Sequence, residues 1–512
     1  MRNAPSVLGL ALLPICCTAG FATDCAALAT LLPGKVFFTN STVYNSSVES
    51  YYFVEERLNP TCIVRPASAS DVVTVVNHIA ASPSALLSVK GGGHSPNIGA
   101  ANANVGVTLD MRTLNAVQVH NGGSITSVGA GALWQEVYQV LDTYGLAAVG
   151  GRVATVGVGG LTTGGTCILV LDCFVKQILS ILITGGLSTF SPEHGFACDN
   201  VVNTEVVLAS GAIVNANETS HADLFAALKG GQNNFGIVTR FDIRSFQQPD
   251  YWGGGVEYPD DCDEAQILAF AKFKYPENFD PYAELEQSFL YTAAENLRTS
   301  SNNMFYTKPI VNASALAEFT TIKPQLSNTM RISNTTDFAK ELAEYQPVDQ
   351  LAVYATTTFK VSLPALRSIL VAWNTSVHAL SHVESLLAVL TFQAIPPVPP
   401  TSAPQNSFGF APNSHPERDL VLCLLSNYWS DTSASAEVQA ATKVLLREIE
   451  AITEKEGVNV RYRYMNYAAK WQDPIVSYGA AQVAKLREVA AKYDPFGFFQ
   501  TKVRGGFKLS KG

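Results

Sequence analysis

Three consecutive glycines, Gly91, Gly92 and Gly93, followed by His94 and Ser95, constrain this 512-residue chain more than any other stretch. An apolar run over residues 86–89 leads into them and reads as a strand that ends in a turn. Glycine is needed where backbone adopts a positive φ or presses against a ligand. Free N–H groups in such a turn form a concave nest that suits an anion, typically a phosphate. A histidine at the end of that nest reaches whatever the phosphate carries. The same five residues also read as a solvent turn with a structural histidine. Alone, they decide nothing.

Two further segments change the balance. Residues 150–165 carry Gly157, Gly159, Gly160, Thr162 and Gly164, and residues 229–239 carry Gly236, Ile237 and Val238. Three glycine-dense turns, each beside β-branched residues, suit one long ligand bound in extended form. The tail adds Tyr464, Asn466 and Tyr467 in a Tyr-x-Asn-Tyr pattern, then Gly505 and Gly506. This set, in this order, resembles the FAD-linked oxidases of the vanillyl-alcohol-oxidase superfamily, in the berberine-bridge-enzyme-like branch. The resemblance runs from about residue 59 to the C-terminus.

The resemblance implies an α+β protein: a two-part FAD-binding domain and a substrate domain whose antiparallel sheet is flanked by helices. It implies FAD, linked covalently from His94 to the flavin 8α carbon and cradled by the glycine-rich residues named above together with Asn466. Many members add a second link from a cysteine in a G-x-C-x-x-V-G-x-G-G pattern. Val153 stands at that place, and valine has no nucleophile, so one link is expected. For proton removal the candidate is Tyr467, with Gln393 as a partner; Tyr467 reads equally well as a core aromatic. The substrate is expected to be a small organic molecule, and O2 the electron acceptor.

Length argues for two domains. The expected boundaries are 23–246 for the FAD-binding part, 247–460 for the substrate part, and 461–512 for a tail that returns to the first. A net charge of −9 argues against nucleic acid as a partner, and none is expected. Residues 1–22 read as a secretory signal: Arg2, an apolar stretch over 7–15, then Ala19, Gly20 and Ala22. That stretch is too short to span a bilayer, so no stable membrane association is expected. Sequons begin at Asn40, Asn45, Asn217, Asn312, Asn334 and Asn374, in keeping with secretion and glycosylation. The related oxidases carry an N-terminal bridge, which implies a Cys25–Cys62 disulfide. Cys198, Cys262 and Cys423 lack metal-site spacing, and no metal is expected. A monomer is expected.

Local patterns add elements. Ser68 or Ser70 can cap a helix with Val72, Val73, Val76, Ile79 and Ala80 on one face. Strands are expected at 107–110, 351–360 and 387–392, a hairpin across 205–214, and a helix over 480–492. Residues 166–185 interrupt the match: the family's glycine loop continues directly into the sequence that resumes at Gly186. Their 20 codons equal 60 nucleotides, the size of a small intron, and codon choice permits splice signals at both ends. The segment is expected to be a retained intron or a gene-prediction error, the alternative being a real apolar insertion. The functional expectation is a tailoring oxidase of fungal secondary metabolism. A secreted carbohydrate oxidase and an inactive flavin-binding protein are the alternatives.

Overall fold

A computed structural model describes residues 15–164, 186–344, 347–397, 406–408 and 418–509. The suspected insertion at 166–185 lies outside the described residues. The first sheet runs β1 (Val36–Phe38), β2 (Cys62–Val64), β3 (Leu87–Lys90) and β4 (Val107–Asp110) in the order β1-β2-β4-β3. Both β2 and β3 lie parallel to β4, so a crossover must join them. The helix Ala69–Ala81 supplies it. Ser68, not Ser70, caps this helix, its Oγ accepting from Asp71 N at 3.3 Å. The buried stripe is Val72, Val75, Val76 and Ile79. Val73 is half-buried and Ala80 is exposed, because a period of 3.6 carries both off the line through residues 72 and 79.

A disulfide joins Cys25, in the helix Ile15–Leu31, to Cys62 on β2. Asp24 meets the His78 ring nitrogen at 3.1 Å and accepts from Ser82 Oγ at 3.2 Å. That helix passes unbroken through the expected cleavage point after residue 22, and these bonded contacts lie beyond it.

The second sheet comprises β5 (Val117–His120), β6 (Ile125–Gly129), β7 (Leu146–Ala148), β8 (Val201–Val207), β9 (Ile213–Asn217) and β10 (Ile237–Gln247). Its order is β5-β6-β10-β8-β9, with β7 on β10. The expected hairpin is the β8–β9 pair, with Val207 opposite Ile213.

The third sheet is nine-stranded and antiparallel throughout. Its strands are β11 (Tyr251–Pro259), β12 (Ala283–Thr292), β13 (Leu297–Tyr306), β14 (Ser327–Asn328), β15 (Arg331–Ser333), β16 (Leu351–Lys360), β17 (Leu387–Ala394), β18 (Leu420–Trp429) and β19 (Asn459–Val460). Alternation along these strands divides the sheet between two cores. Leu285, Phe289, Phe392, Leu425 and Phe359 pack with Ile369 and Trp373 of the helix Leu363–Ala379 and with Ile449 of Ser435–Lys455. Leu290, Phe305, Leu422, Leu424 and Tyr354 join the core of Trp134, Val153, Phe196 and Tyr467. Helices therefore cover one face, and the glycine-rich half covers the other.

The tail comes back. After the helix Ala480–Tyr493, Asp494 accepts from Phe498 N and Phe499 N, each at 2.7 Å, and turns the chain. Leu87 N on β3 then donates to Lys502 O at 2.9 Å.

Candidate functional site

The three glycine-rich turns meet. A Cβ on Gly92 would stand 2.5 Å from Gly157 N, and one on Gly159 would stand 2.6 Å from Ala130 O. Backbone touches backbone there, and no side chain fits between. Gly93 has φ +75°, which glycine adopts without strain. Around this contact lies a cavity of about 410 Å³. Gly91, Gly92, Gly93, His94 and Ser95 line it, as do Gly157, Gly159, Gly160, Gly236, Ile237, Val238 and Asn466. Two expected residues sit off the lining. Thr162 turns into the core, its Oγ1 buried without a partner, and Gly164 packs against Met465 Sδ. Thr163 faces the cavity in Thr162's place.

His94 is 5% exposed, with its ring centroid 4.4 Å from that of Tyr52. Burial drives its pKa well below the usual histidine value, opposed by a hydrogen bond to the Thr155 backbone. Nearby Lys90 and Arg112 add to the downward shift. The ring is therefore neutral, and its Nδ1 is buried without a hydrogen-bond partner. Asn466 shows the same pattern: its Nδ2 donates to Tyr464 Oη at 2.9 Å, while its Oδ1 has no partner. Buried polar atoms are normally satisfied. Two orphans on the wall of one glycine-lined cavity fit a polar ligand that is not part of the chain.

Beside the cavity, Tyr467 and Gln393 meet as expected. Tyr467 Oη donates to Gln393 Oε1 at 3.2 Å. The same oxygen accepts from Arg152 Nη2 at 2.8 Å. Arg152 is also ion-paired to Glu284 and to Glu286. All five side chains are buried.

A FAD binding domain family matches residues 60–170. A FAD-dependent monooxygenase of Aspergillus calidoustus is 30% identical over 99% of this chain and 92% of its own length. Another, from Emericella nidulans, is 31% identical over 95% of this chain and 98% of its own. The chain belongs to the FAD-linked oxidases of the vanillyl-alcohol-oxidase superfamily. Glucooligosaccharide oxidase from Acremonium strictum, whose FAD is 6-S-cysteinyl, 8α-N1-histidyl, superimposes with a TM-score of 0.69 at 17% identity. That match covers 93% of this chain and 97% of the other, and at such identity the likeness is one of fold.

For an FAD-linked oxidase, the residues that sequence reasoning left out are as telling as those it named. Met465, Lys470, Arg504, Phe507 and Lys508 also line the cavity. Lys508 Nζ donates to Asn233 Oδ1 at 2.8 Å, and Phe507 N donates to Gln232 Oε1 at 2.8 Å. Burial pushes the Lys508 pKa down to about 7, against the pull of Asp494. Glu56 holds the loop beyond His94, accepting from Ala100 N at 3.0 Å and Ala101 N at 3.1 Å. None of these has a local signature. A lysine seven residues past a helix carries no sign that it reaches a distant loop. Glu284 and Glu286 did carry a signal, two carboxylates two apart on one strand face, but the strand itself was not recognised.

Proposed function

We propose that this oxidase holds FAD in the glycine-lined cavity through a single covalent bond from His94 Nδ1 to the flavin 8α carbon. The observation that carries this is the neutral imidazole with a buried, unpartnered Nδ1 on the cavity wall. The Acremonium oxidase carries a histidyl bond of that type and a cysteinyl bond as well. Here Val153 stands where the cysteine of the pattern belongs, fully buried in the core. When bound, flavin supplies two-electron chemistry by accepting a hydride. The protein positions it, excludes water and handles protons. Gly92, Gly157 and Gly159 set the backbone approach, and Asn466 offers a free carbonyl oxygen. Tyr467 and Gln393 align the reacting group of a small organic substrate. With O2 as acceptor, the reaction we assign is an oxidative tailoring step of secondary metabolism.

Acid-precipitated protein should stay yellow, and His94→Ala should release its flavin on precipitation. Free flavin from the unaltered protein would sink the covalent bond. A panel of sugars, benzylic alcohols and phenolic metabolites, scored by bleaching and recovery in air, identifies the substrate class.

The address is part of the proposal: a secretory signal over 1–22, glycosylation and a mature chain anchored by Cys25–Cys62. No described helix is long and apolar enough to cross a membrane. Asn40, Asn45, Asn312 and Asn334 are exposed and open to glycosylation. Asn217 is half-buried, with Oδ1 accepting from Ser220 N at 2.9 Å, and Asn374 Oδ1 is buried within a helix. We further infer that 166–185 is absent from the working protein. The flanks abut one segment, Gly164 at Met465 and Gly186 at Tyr464 and Asn466. A mature transcript that retains the 60 nucleotides and yields active oxidase would overturn this.

A further inference from the structure

The glycine-lined cavity is charged in one direction. In a chain with 43 acidic against 34 basic residues, no carboxylate lines it, while Lys470, Arg504 and Lys508 all do. Two of these three come from the returning tail. Gly505 presses that tail onto the loop beyond His94, since a Cβ there would stand 2.0 Å from Ala100 O. Lys470 Nζ reaches the same loop, donating to Ile98 O at 2.9 Å. Lys508 is held differently. Its Nζ donates to Asn233 Oδ1 at 2.8 Å, and it forms no ion pair among the described residues. The carboxylate whose charge it feels is Asp494, and that group's two oxygens accept from Phe498 N and Phe499 N.

Three cations around one space repel one another, and a lysine drawn out of water without a counterion sheds its proton readily. Arg504 keeps its charge at any ordinary pH, and Lys470 is exposed and hydrated. Lys508 is the member that yields. The glycine nest offers an anion only the partial charges of its N–H groups, so a full positive charge must come from these side chains. A diphosphate brings two negative charges into the cavity. We propose, on the reading that this cavity holds FAD, that Lys508 is the counterion of the cofactor's diphosphate and that its Nζ takes a proton from solvent as the cofactor binds. The amine lone pair forms the new N–H bond, and water or buffer gives up the proton. No bond of the cofactor changes.

The groups around Lys508 set the direction of the pH dependence. Arg504 and Lys470 share its cavity, and His94, the other titratable group there, is neutral. Asp494 pulls the other way. Arg487 stands behind the tail, its Nε donating to Leu509 O at 3.2 Å. Gln232 and Asn233 are amides and do not titrate. With the cavity empty, burial holds Lys508 at about 7. A diphosphate moves it back toward the ordinary lysine value of about 10.4, so the complex prefers the protonated form. Below pH 7 the amine is already charged, and affinity is level. From about 7 upward, binding takes up a proton and affinity falls, by as much as about tenfold per pH unit.

The test measures binding rather than turnover, in His94→Ala protein, which takes up FAD reversibly and lacks the imidazole as a source of protons. Calorimetric titration at pH 8 in two buffers of different ionisation enthalpy should show uptake of about 0.9 proton per FAD, falling to about 0.1 at pH 6, as a group near 7 requires. Riboflavin, the same ring without the diphosphate, should bind with no uptake. Lys508→Met should weaken FAD binding by about 10–100-fold at pH 6, abolish the uptake and leave riboflavin binding unchanged. Lys508→Arg should restore the affinity and hold it level with pH, because a guanidinium stays charged. A merely structural role for the side chain would not produce tight binding without a proton. If His94→Ala does not fold, His94→Ser carries the same measurements. FAD bound without proton uptake, or bound equally well by Lys508→Met, overturns the counterion alone. Equal uptake with riboflavin places the titrating group elsewhere and overturns it as well. FAD that does not bind at all overturns the cofactor reading and this assignment together.

Discussion

The glycine-lined cavity and the nine-stranded sheet are built by opposite means. Around the cavity, backbone does the contacting: Gly92 meets Gly157 and Gly159 meets Ala130 with no room for a methyl group. On the sheet, side chains do it, and Glu284, Glu286 and Gln393 project from neighbouring strands toward one arginine from the other half. Backbone recognition suits a fixed partner such as FAD, whose long shape never changes. Side-chain recognition can be altered one residue at a time, as substrate chemistry demands. The division predicts that the closest backbone contacts of the cavity are intolerant of an added methyl group, whereas the far face of the sheet can lose a side chain and leave the cavity intact.

Gly157→Ala is the harshest way to probe that contrast. The new methyl would collide with the backbone of Gly92, an overpacking that costs about 1–3 kcal/mol. The larger consequence is functional: flavin content per folded molecule, read from the visible-to-ultraviolet absorbance ratio, should fall to near zero. Normal loading would mean that the two loops do not need their observed contact. Trp373→Ala examines the far face of the sheet. It should lower stability by about 3–5 kcal/mol in denaturant unfolding, with unchanged flavin content in the molecules that fold. Flavin loss there would show that the two halves are not separable in this way. Tyr467→Phe is the mildest. It deletes one hydrogen bond to Gln393, worth about 1 kcal/mol, so flavin reduction should slow by roughly fivefold. A loss of about 10²–10⁴-fold would instead mark the tyrosine as the general base.

How much of this was legible follows the same division. The FAD-binding fold and the glycines that bring the cavity's turns together were readable, because glycine is demanded wherever backbone meets backbone, and the demand is local. The strands 107–110 and 351–360 were readable from their apolar, β-branched content. Both β12 and β13 were not, since Glu284, Glu286, Gln287 and Ser288, then Ser300, Ser301, Asn302 and Asn303, are buried polar residues that hide the alternation. Thr162 was expected at the cavity and Thr163 is there, a one-residue difference that only the pitch of a short helix decides.

The sequence by itself determined the cofactor class, which separate glycine-rich segments carry together, and also the histidine at the end of the nest and the valine at 153, each a property of residues adjacent in the chain. The tertiary structure alone decided that Arg152, Glu284, Glu286, Gln393 and Tyr467 form one cluster. Those residues come from four separate segments, and no local pattern records a meeting that depends on how a nine-stranded sheet closes over a glycine-rich half. It also decided that His94 presents an unpaired Nδ1. Protonation and hydrogen-bond satisfaction depend on what surrounds a side chain in space, here Tyr52, Thr155 and a buried stretch of cavity wall.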